Sequence, residues 1–498
     1  MRVAIGIDVG TTGTRAVAID ERGVVVDART AEHRLLTPRP QWTEQDPAEW
    51  WRATRDVLSA VAASCREASG EVVGIGLTGQ MHGSVFLDGE REVIRPALLW
   101  NDQRTGRQCD DITQRVGSER IVEITGNPAL TGFQAPKVLW LRDEEPANFA
   151  RVAHVLLPKD YVRYRLAHEL ATDASDAAGT LFLDLRKRTW SSEVLDALDV
   201  PAEWLPPVFE SPEPTGSIAS EVAAELGLPS GVPVAAGGGD NAAAAIGTAV
   251  TGDGLMSSSI GTSGVLFAHA EECAVDPSGR IHAFAHSVPG RYCLLAVTLS
   301  AGGSLRWWRD LTGLGYDELV AEAAAVPPGS EGLVFLPYLT GERTPHLDPR
   351  ATGGFVGLTA RHTRGHMTRA LMEGVLFSLR DGIELMRGLD VRPTQIRAIG
   401  GGASSELWLQ LQADIYGAAV HRLAIEEGAA YGAGLLGHVA AGTFADVNEA
   451  TAVVRTLEQV TEPDPKRVQV YEETYAVYRS LYGTLREDMH RLVELASA

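Results

Sequence analysis

Two glycine-threonine turns, each joining a pair of strand-like segments, constrain this chain more than any other feature. The first, Gly10-Thr11-Thr12-Gly13, follows the apolar run Val3 to Val9 and precedes the β-compatible segment Arg15 to Asp20. The second, Gly261-Thr262-Ser263-Gly264, lies inside a strand–turn–strand unit from Met256 to Phe267. They sit about 250 residues apart in a chain of 498, each opening its own half. That spacing points to an old duplication, although no short repeat period is present. At roughly 100 to 200 residues per domain the length suits two large domains or three small ones, and with the duplication a ligand held between two similar lobes follows.

The turns also carry chemistry. Turn glycines let the main chain approach a ligand, and amide and threonine hydroxyl donors suit phosphate oxygens. Gly10, Thr11, Thr12, Thr14, Gly261 and Thr262 are therefore candidate phosphate contacts. Walker A and dinucleotide-binding fingerprints need a helix after the glycines, whereas Arg15 to Asp20 reads as a strand, so both are disfavoured. Asp8, at the mouth of the first turn, is placed to hold Mg²⁺ directly or through water, since hard cations prefer carboxylate and water oxygens.

Gly237-Gly238-Gly239-Asp240-Asn241 follows the strand Val232 to Ala236 and precedes an alanine run, which puts Asp240 at the start of a helix. An aspartate there is a common helix cap. The three glycines favour instead an exposed carboxylate at a cleft, cleared of side chains that would obstruct a substrate. Phosphoryl transfer needs a base that orients a hydroxyl and takes its proton late, a role within reach of an ionised aspartate. The tract Gly239 to Gly247 reads equally as a hinge or as a tightly packed helix. Gly400-Gly401-Gly402-Ala403-Ser404-Ser405 connects a strand to a helix bearing Leu407, Leu411 and Ile415, a shape that serves either a nucleotide or tight packing; Gly401, Gly402 and Ser405 are the candidate contacts. The small-residue tract from Gly428 to Gly434 reads as a helix made for close packing.

Val72 to Leu77 ends in Thr78-Gly79-Gln80-Met81-His82-Gly83, so Gln80 and His82 leave the carboxyl end of a strand, where open α/β sheets bind ligands. Trp100-Asn101-Asp102-Gln103-Arg104 adds an aromatic face, an amide, a carboxylate and a guanidinium within five residues, the kind of donor and acceptor set a sugar requires. The pairs His282/His286 and His362/His366 lack a third ligand and are read as structural or solvent-exposed. Asp46-Pro47-Ala48-Glu49 marks a helix start, and the end of the chain from Val468 to Ala496 reads as a long amphipathic helix.

Composition removes other classes. A formal charge of −21, from 65 acidic and 44 basic residues, disfavours a nonspecific grip on nucleic acid or anionic lipid. The four cysteines, at 65, 109, 273 and 293, lack paired spacing and read as reduced thiols. No apolar run is long enough to span a bilayer and no leader pattern opens the chain, so a cytoplasmic location is expected.

The segments Gly6 to Asp20, Gly237 to Asn241, Ile260 to Gly264 and Gly400 to Gly402, in that order over nearly the whole chain, resemble the FGGY carbohydrate kinases. The resemblance implies an α/β architecture of two ribonuclease-H-like, actin-like ATPase domains closing over an interdomain cleft. It places the sugar-binding domain with the first phosphate turn and the base at 1–247, and the nucleotide-binding domain at 248–498. ATP and Mg²⁺ are the implied cofactors, and a homodimer is left open. Gln80-Met81-His82-Gly83 and Trp100-Asn101-Asp102-Gln103-Arg104 are similar to the branch that phosphorylates D-xylulose at its 5-hydroxyl. Carried over, sugar contact falls on Met81 and His82, with Gln80, Trp100, Asn101, Asp102, Arg104 and Asn241 around them, and proton acceptance on Asp240, with Asp8 needed for activity. Another ketose or a polyol as substrate, an actin-like ATPase without sugar transfer, and a silent sugar sensor are the competing readings.

Overall fold

A computed structural model describes residues 1–423 and 428–497. It contains two seven-stranded sheets. In the first, Arg2–Val9, Gly13–Asp20 and Val25–Glu32 form an antiparallel meander, and Glu71–Gly79 and then Pro233–Ala235 add in parallel beside Arg2–Val9. In the second, Leu255–Ile260, Gly264–Ala270 and Tyr292–Thr298 form the meander, and Gln395–Gly400 and then Ala419–Leu423 add in parallel beside Leu255–Ile260. The second half thus repeats the strand plan of the first, as the twin turns anticipate.

The Pro47–Glu67 helix begins as its sequence dictates: Asp46 accepts from the Ala48 amide, proline occupies the first turn, and Trp50, Val57, Leu58 and Val61 are buried. At the other end the Pro465–Ser497 helix buries tyrosines against the Arg364–Gly388 helix. Tyr471 donates to Glu373 at 2.8 Å and Tyr475 to Asp381 at 2.6 Å.

The two halves are stitched by two small-residue helices. Asp240–Gly247 and Gly428–Ala440 lie so close that a Cβ on Gly432 would overlap the Ala243 carbonyl. The Gly428–Ala440 helix, from the C-terminal half, also lies on the N-terminal sheet, where a Cβ on Gly6 or Gly76 would meet the carbonyls of Ala430 and Ala433. Of the two readings of Gly239 to Gly247, the packed helix is the one found. All four cysteines are free, and among the described residues no helix is long and apolar enough to cross a membrane.

Candidate active site

Register alone aligns the carboxylates. Asp8 pairs with Thr78 and Val9 with Gly79, while Gly238 and Gly239 pair with the same Thr78 and Gly79 from the other side. Three parallel strands therefore end level, delivering Asp8, Gln80 and Asp240 to the carboxyl edge of one sheet. Asp8 Oδ1 is buried without a hydrogen-bond partner, and burial, then the nearby charge of Asp240, push its carboxyl up to about 7. Burial lifts Asp240 to about 6, against hydrogen bonds from Asn241. Two desolvated carboxylates facing one another, one with an orphaned oxygen, fit a hard dication. Among the described residues no three acidic, histidine or cysteine groups cluster to cage one, so remaining ligands would be phosphate and water oxygens.

Asp240 does not cap its helix. Its Oδ1 accepts from the backbone and side-chain amides of the adjacent Asn241, at 2.7 and 2.8 Å, while Gly239 occupies the cap position. The glycines before it serve a purpose other than the clearance for substrate that the sequence implied. A Cβ on Gly237 would strike the Leu77 carbonyl, one on Gly238 would come within 2.5 Å of Ser287 Oγ, and one on Gly239 would press on Met81. They let Asp240 approach the Glu71–Gly79 strand. The Gly239 amide is held by Ser175 Oγ at 3.1 Å. Ser175 in turn donates to Asp173, whose other oxygen lies 2.9 Å from the fully buried Lys159.

The first turn is closed by Gly10 N–H donating to Gly13 at 3.1 Å. Its threonines divide. Thr11 Oγ1 accepts from Trp100 Nε1 at 3.0 Å and donates to Gln80 at 3.2 Å, Thr14 is fully buried, and Thr12 is exposed. Of the three threonines, Thr12 is thus the one whose hydroxyl is open to a phosphate. Gln80 likewise braces the turn, through Thr11 and Gln45, and is buried.

In the second half, pairing of Ile260 with Gly400 brings the Gly261–Gly264 and Gly400–Gly402 turns side by side. They floor a cavity of about 600 Å³ that includes Thr262, Gly401, Gly402 and Ser405, a size suited to a nucleotide. Its opposite wall, with Leu305, Arg306, Tyr316, Val320 and Trp408, went unread in the sequence, although the pair Gly302-Gly303 was a signal. A Cβ on Gly302 would come within 2.5 Å of the Gly261 carbonyl.

A second, smaller cavity lies between the halves, lined by Met81, His82, Trp100 and Asn241 from one and by His282, Phe284 and Arg343 from the other, with Phe133 between. Four expected contacts, Gln80, Asn101, Asp102 and Arg104, are not part of it. Asp102 accepts the Thr43 amide at 2.7 Å and pairs with Arg104, which also reaches Glu44 at 2.7 Å and stacks on the half-buried Trp42, the three charged side chains being essentially buried. A guanidinium so enclosed is satisfied by its own carboxylates, and the pair shapes the loop behind Trp100. Asn101 accepts from Thr43 in the same loop at 2.7 Å. His282, set aside as structural, is a cavity residue. Reading His282-Ala283-Phe284-Ala285 with a strand period of two, instead of pairing His282 with His286 at helical spacing, would have placed His282 and Phe284 on one face. His286 donates to or accepts from no cavity group; its Nε2 lies 2.9 Å from the Val250 carbonyl.

Residues 3–247 match the N-terminal and 256–441 the C-terminal domain model of the FGGY family of carbohydrate kinases. The chain is 42% identical to the xylulose kinase of Escherichia coli (strain K12) over 97% of this chain and 99% of that protein. It is 40% identical to the xylulose kinase of Lactococcus lactis subsp. lactis (strain IL1403) over 99% of each. The crystal structure of xylulose kinase from Rhodospirillum rubrum superposes with a TM-score of 0.93 at 32% identity, covering 98% of this chain and all of that one.

Proposed function

The chain belongs to the FGGY family of carbohydrate kinases, and from that premise we propose that it phosphorylates D-xylulose with ATP, giving D-xylulose 5-phosphate and ADP. The observation that carries the reading is the position of Asp240, at the carboxyl edge of the first sheet with Asn241 lining the cavity between the halves. The sugar's 5-hydroxyl oxygen forms a bond to the γ-phosphorus, the bond from phosphorus to the ADP oxygen breaks, and Asp240 takes the hydroxyl proton. The turns at Gly10–Gly13 and Gly261–Gly264 present amides to the phosphates from either lobe. Asp8 would hold Mg²⁺, which would supply charge neutralisation of the transferring group. Closure of the two halves would exclude water, which a general base in an open site would otherwise activate toward ATP.

ADP release measured with and without D-xylulose tests this. Strong sugar dependence is expected, and hydrolysis at the same rate without sugar would turn the reading toward an ATPase. A panel of pentuloses, hexuloses and polyols ranked by kcat/KM then fixes the sugar.

A pH profile carries a second expectation. Asp240 works as a base only when ionised, and its carboxyl sits near 6 rather than at the usual carboxylate value. With saturating Mg²⁺, which would keep Asp8 ionised, kcat/KM should fall about tenfold per pH unit below that point. A profile flat down to pH 4.5 would show that no buried carboxylate of this kind limits turnover.

A further inference from the structure

The cavity between the halves is asymmetric in its hydrogen-bonding chemistry. His82 Nδ1 lies 2.7 Å from the Gly179 carbonyl, an acceptor only, so Nδ1 carries the proton and Nε2 is left as an acceptor. His82 is held there at a left-handed φ of 66°, with Lys137 donating to its carbonyl at 2.7 Å. His282 is fixed likewise. Its Nδ1 lies 2.7 Å from Asn127 Oδ1, and Asn127 is oriented by its amide donating to the carbonyls of Ala283 and Thr125. Its Nε2 is therefore an acceptor as well. Desolvation holds both rings neutral, His82 at about 3 and His282 well below its usual value. Phe133 and Phe284 pack against both imidazoles.

Against these two acceptors stands one cation, Arg343, on a loop of the nucleotide-binding half. The charge of the neighbouring Glu342 favours the cation, but its oxygens are committed elsewhere. That carboxylate is occupied by Thr298 Oγ1 at 2.5 Å, Ser378 Oγ at 3.0 Å, the Leu299 amide at 3.0 Å and the Arg343 amide at 2.7 Å. The Arg343 main chain is thus anchored to the strand and helix behind it, while its side chain lines the sugar cavity. The other side-chain donors of the lining are engaged elsewhere, the Asn241 amide giving one N–H to Asp240 and Trp100 Nε1 donating to Thr11.

We propose that Arg343 reads the ketone of the sugar, donating to the carbonyl of an α-hydroxyketone whose flanking hydroxyls donate to His82 and His282. The inference rests on the sugar-kinase reading above and adds what that reading leaves open, how the site separates a ketose from the corresponding polyol. A carbonyl accepts and cannot donate, so it requires the cation. A hydroxyl in its place can rotate to other partners and gains less from a charged donor. A buried donor left without its acceptor is penalised, the basis of strong discrimination between otherwise similar ligands. Because Arg343 comes from the nucleotide half and His82 from the sugar half, the ketone also ties the lobes together, linking substrate identity to closure.

The test compares kcat/KM for D-xylulose and for xylitol in the wild type, Arg343→Met and Arg343→Lys, with ADP binding followed by calorimetry. Arg343→Met is expected to lose about 100-fold on D-xylulose and much less on xylitol, with ADP affinity unchanged, collapsing the preference. Arg343→Lys should recover part of it. Equal losses on both sugars, or none on either, would overturn the role of Arg343. A wild type that binds ADP yet phosphorylates neither sugar would instead overturn the D-xylulose reading on which it rests.

Discussion

Asp240→Asn is expected to bind ADP as the wild type does and to phosphorylate sugar about 10³-fold more slowly. The substitution is close to isosteric. An asparagine oxygen can keep the hydrogen bonds that Asn241 donates to Oδ1 at 2.7 and 2.8 Å, so the helix start and the level ending of the three strands should persist. The neutral amide cannot take the proton of the attacking hydroxyl. The loss should appear in kcat and in kcat/KM alike, because the missing interaction belongs to the transition state. Removing a charge beside Asp8 should also let that carboxyl relax from about 7 toward its ordinary value, since Asp240 is one of the two causes that raise it. A single-turnover experiment with saturating ATP isolates the step, and phosphate transfer at the wild-type rate would remove Asp240 from the base's role.

The duplicated frame was legible in the sequence because it is written in local signals. A strand, a turn that needs glycine and a second strand occupy contiguous residues, and the same grammar recurs in each half. Asp8 and Asp240 were legible for the same reason, standing at the ends of strands that the pattern marks. What the sequence hid depends on packing. The run Trp100 to Arg104 offers five polar or aromatic groups in a row, but Asp102 and Arg104 satisfy each other and Glu44 beneath the surface, and no linear pattern reveals which way a loop side chain turns. Gly237 to Gly239 suggested open space and instead mark contact with Leu77, Ser287 and Met81. Arg343 has no local signature at all. It becomes informative only when the fold sets it opposite two histidines drawn from positions 200 residues apart, His82 and His282.

Gly76→Ala is expected to be among the most damaging changes the fold can suffer, about 3 kcal/mol or more. The sign is the test, because Gly→Ala in an unobstructed backbone usually stabilises by about 0.4–1 kcal/mol through the unfolded chain. Gly6 and Gly76 are direct neighbours on adjacent parallel strands. Together they form a groove in which the Gly428–Ala440 helix rests, with the carbonyls of Ala430 and Ala433, one helical turn apart, filling the places where Cβ atoms would stand. Gly74 meets the Gly437 carbonyl one turn further on. The obstruction is main chain, so trimming a side chain at 430 or 433 cannot relieve it, and the helix must lift from the sheet as a unit. That helix also packs on Asp240–Gly247 through Gly432 and Ala243, and the strands beneath it end in Asp8 and Gln80. Stability and activity should therefore fall together. Gly89→Ala is the matched control, since a Cβ there meets nothing within 4 Å. Calorimetric Tm should drop by several degrees for Gly76→Ala and stay level or rise for Gly89→Ala. If the two variants melt alike, close contact at Gly76 is not what holds the halves together.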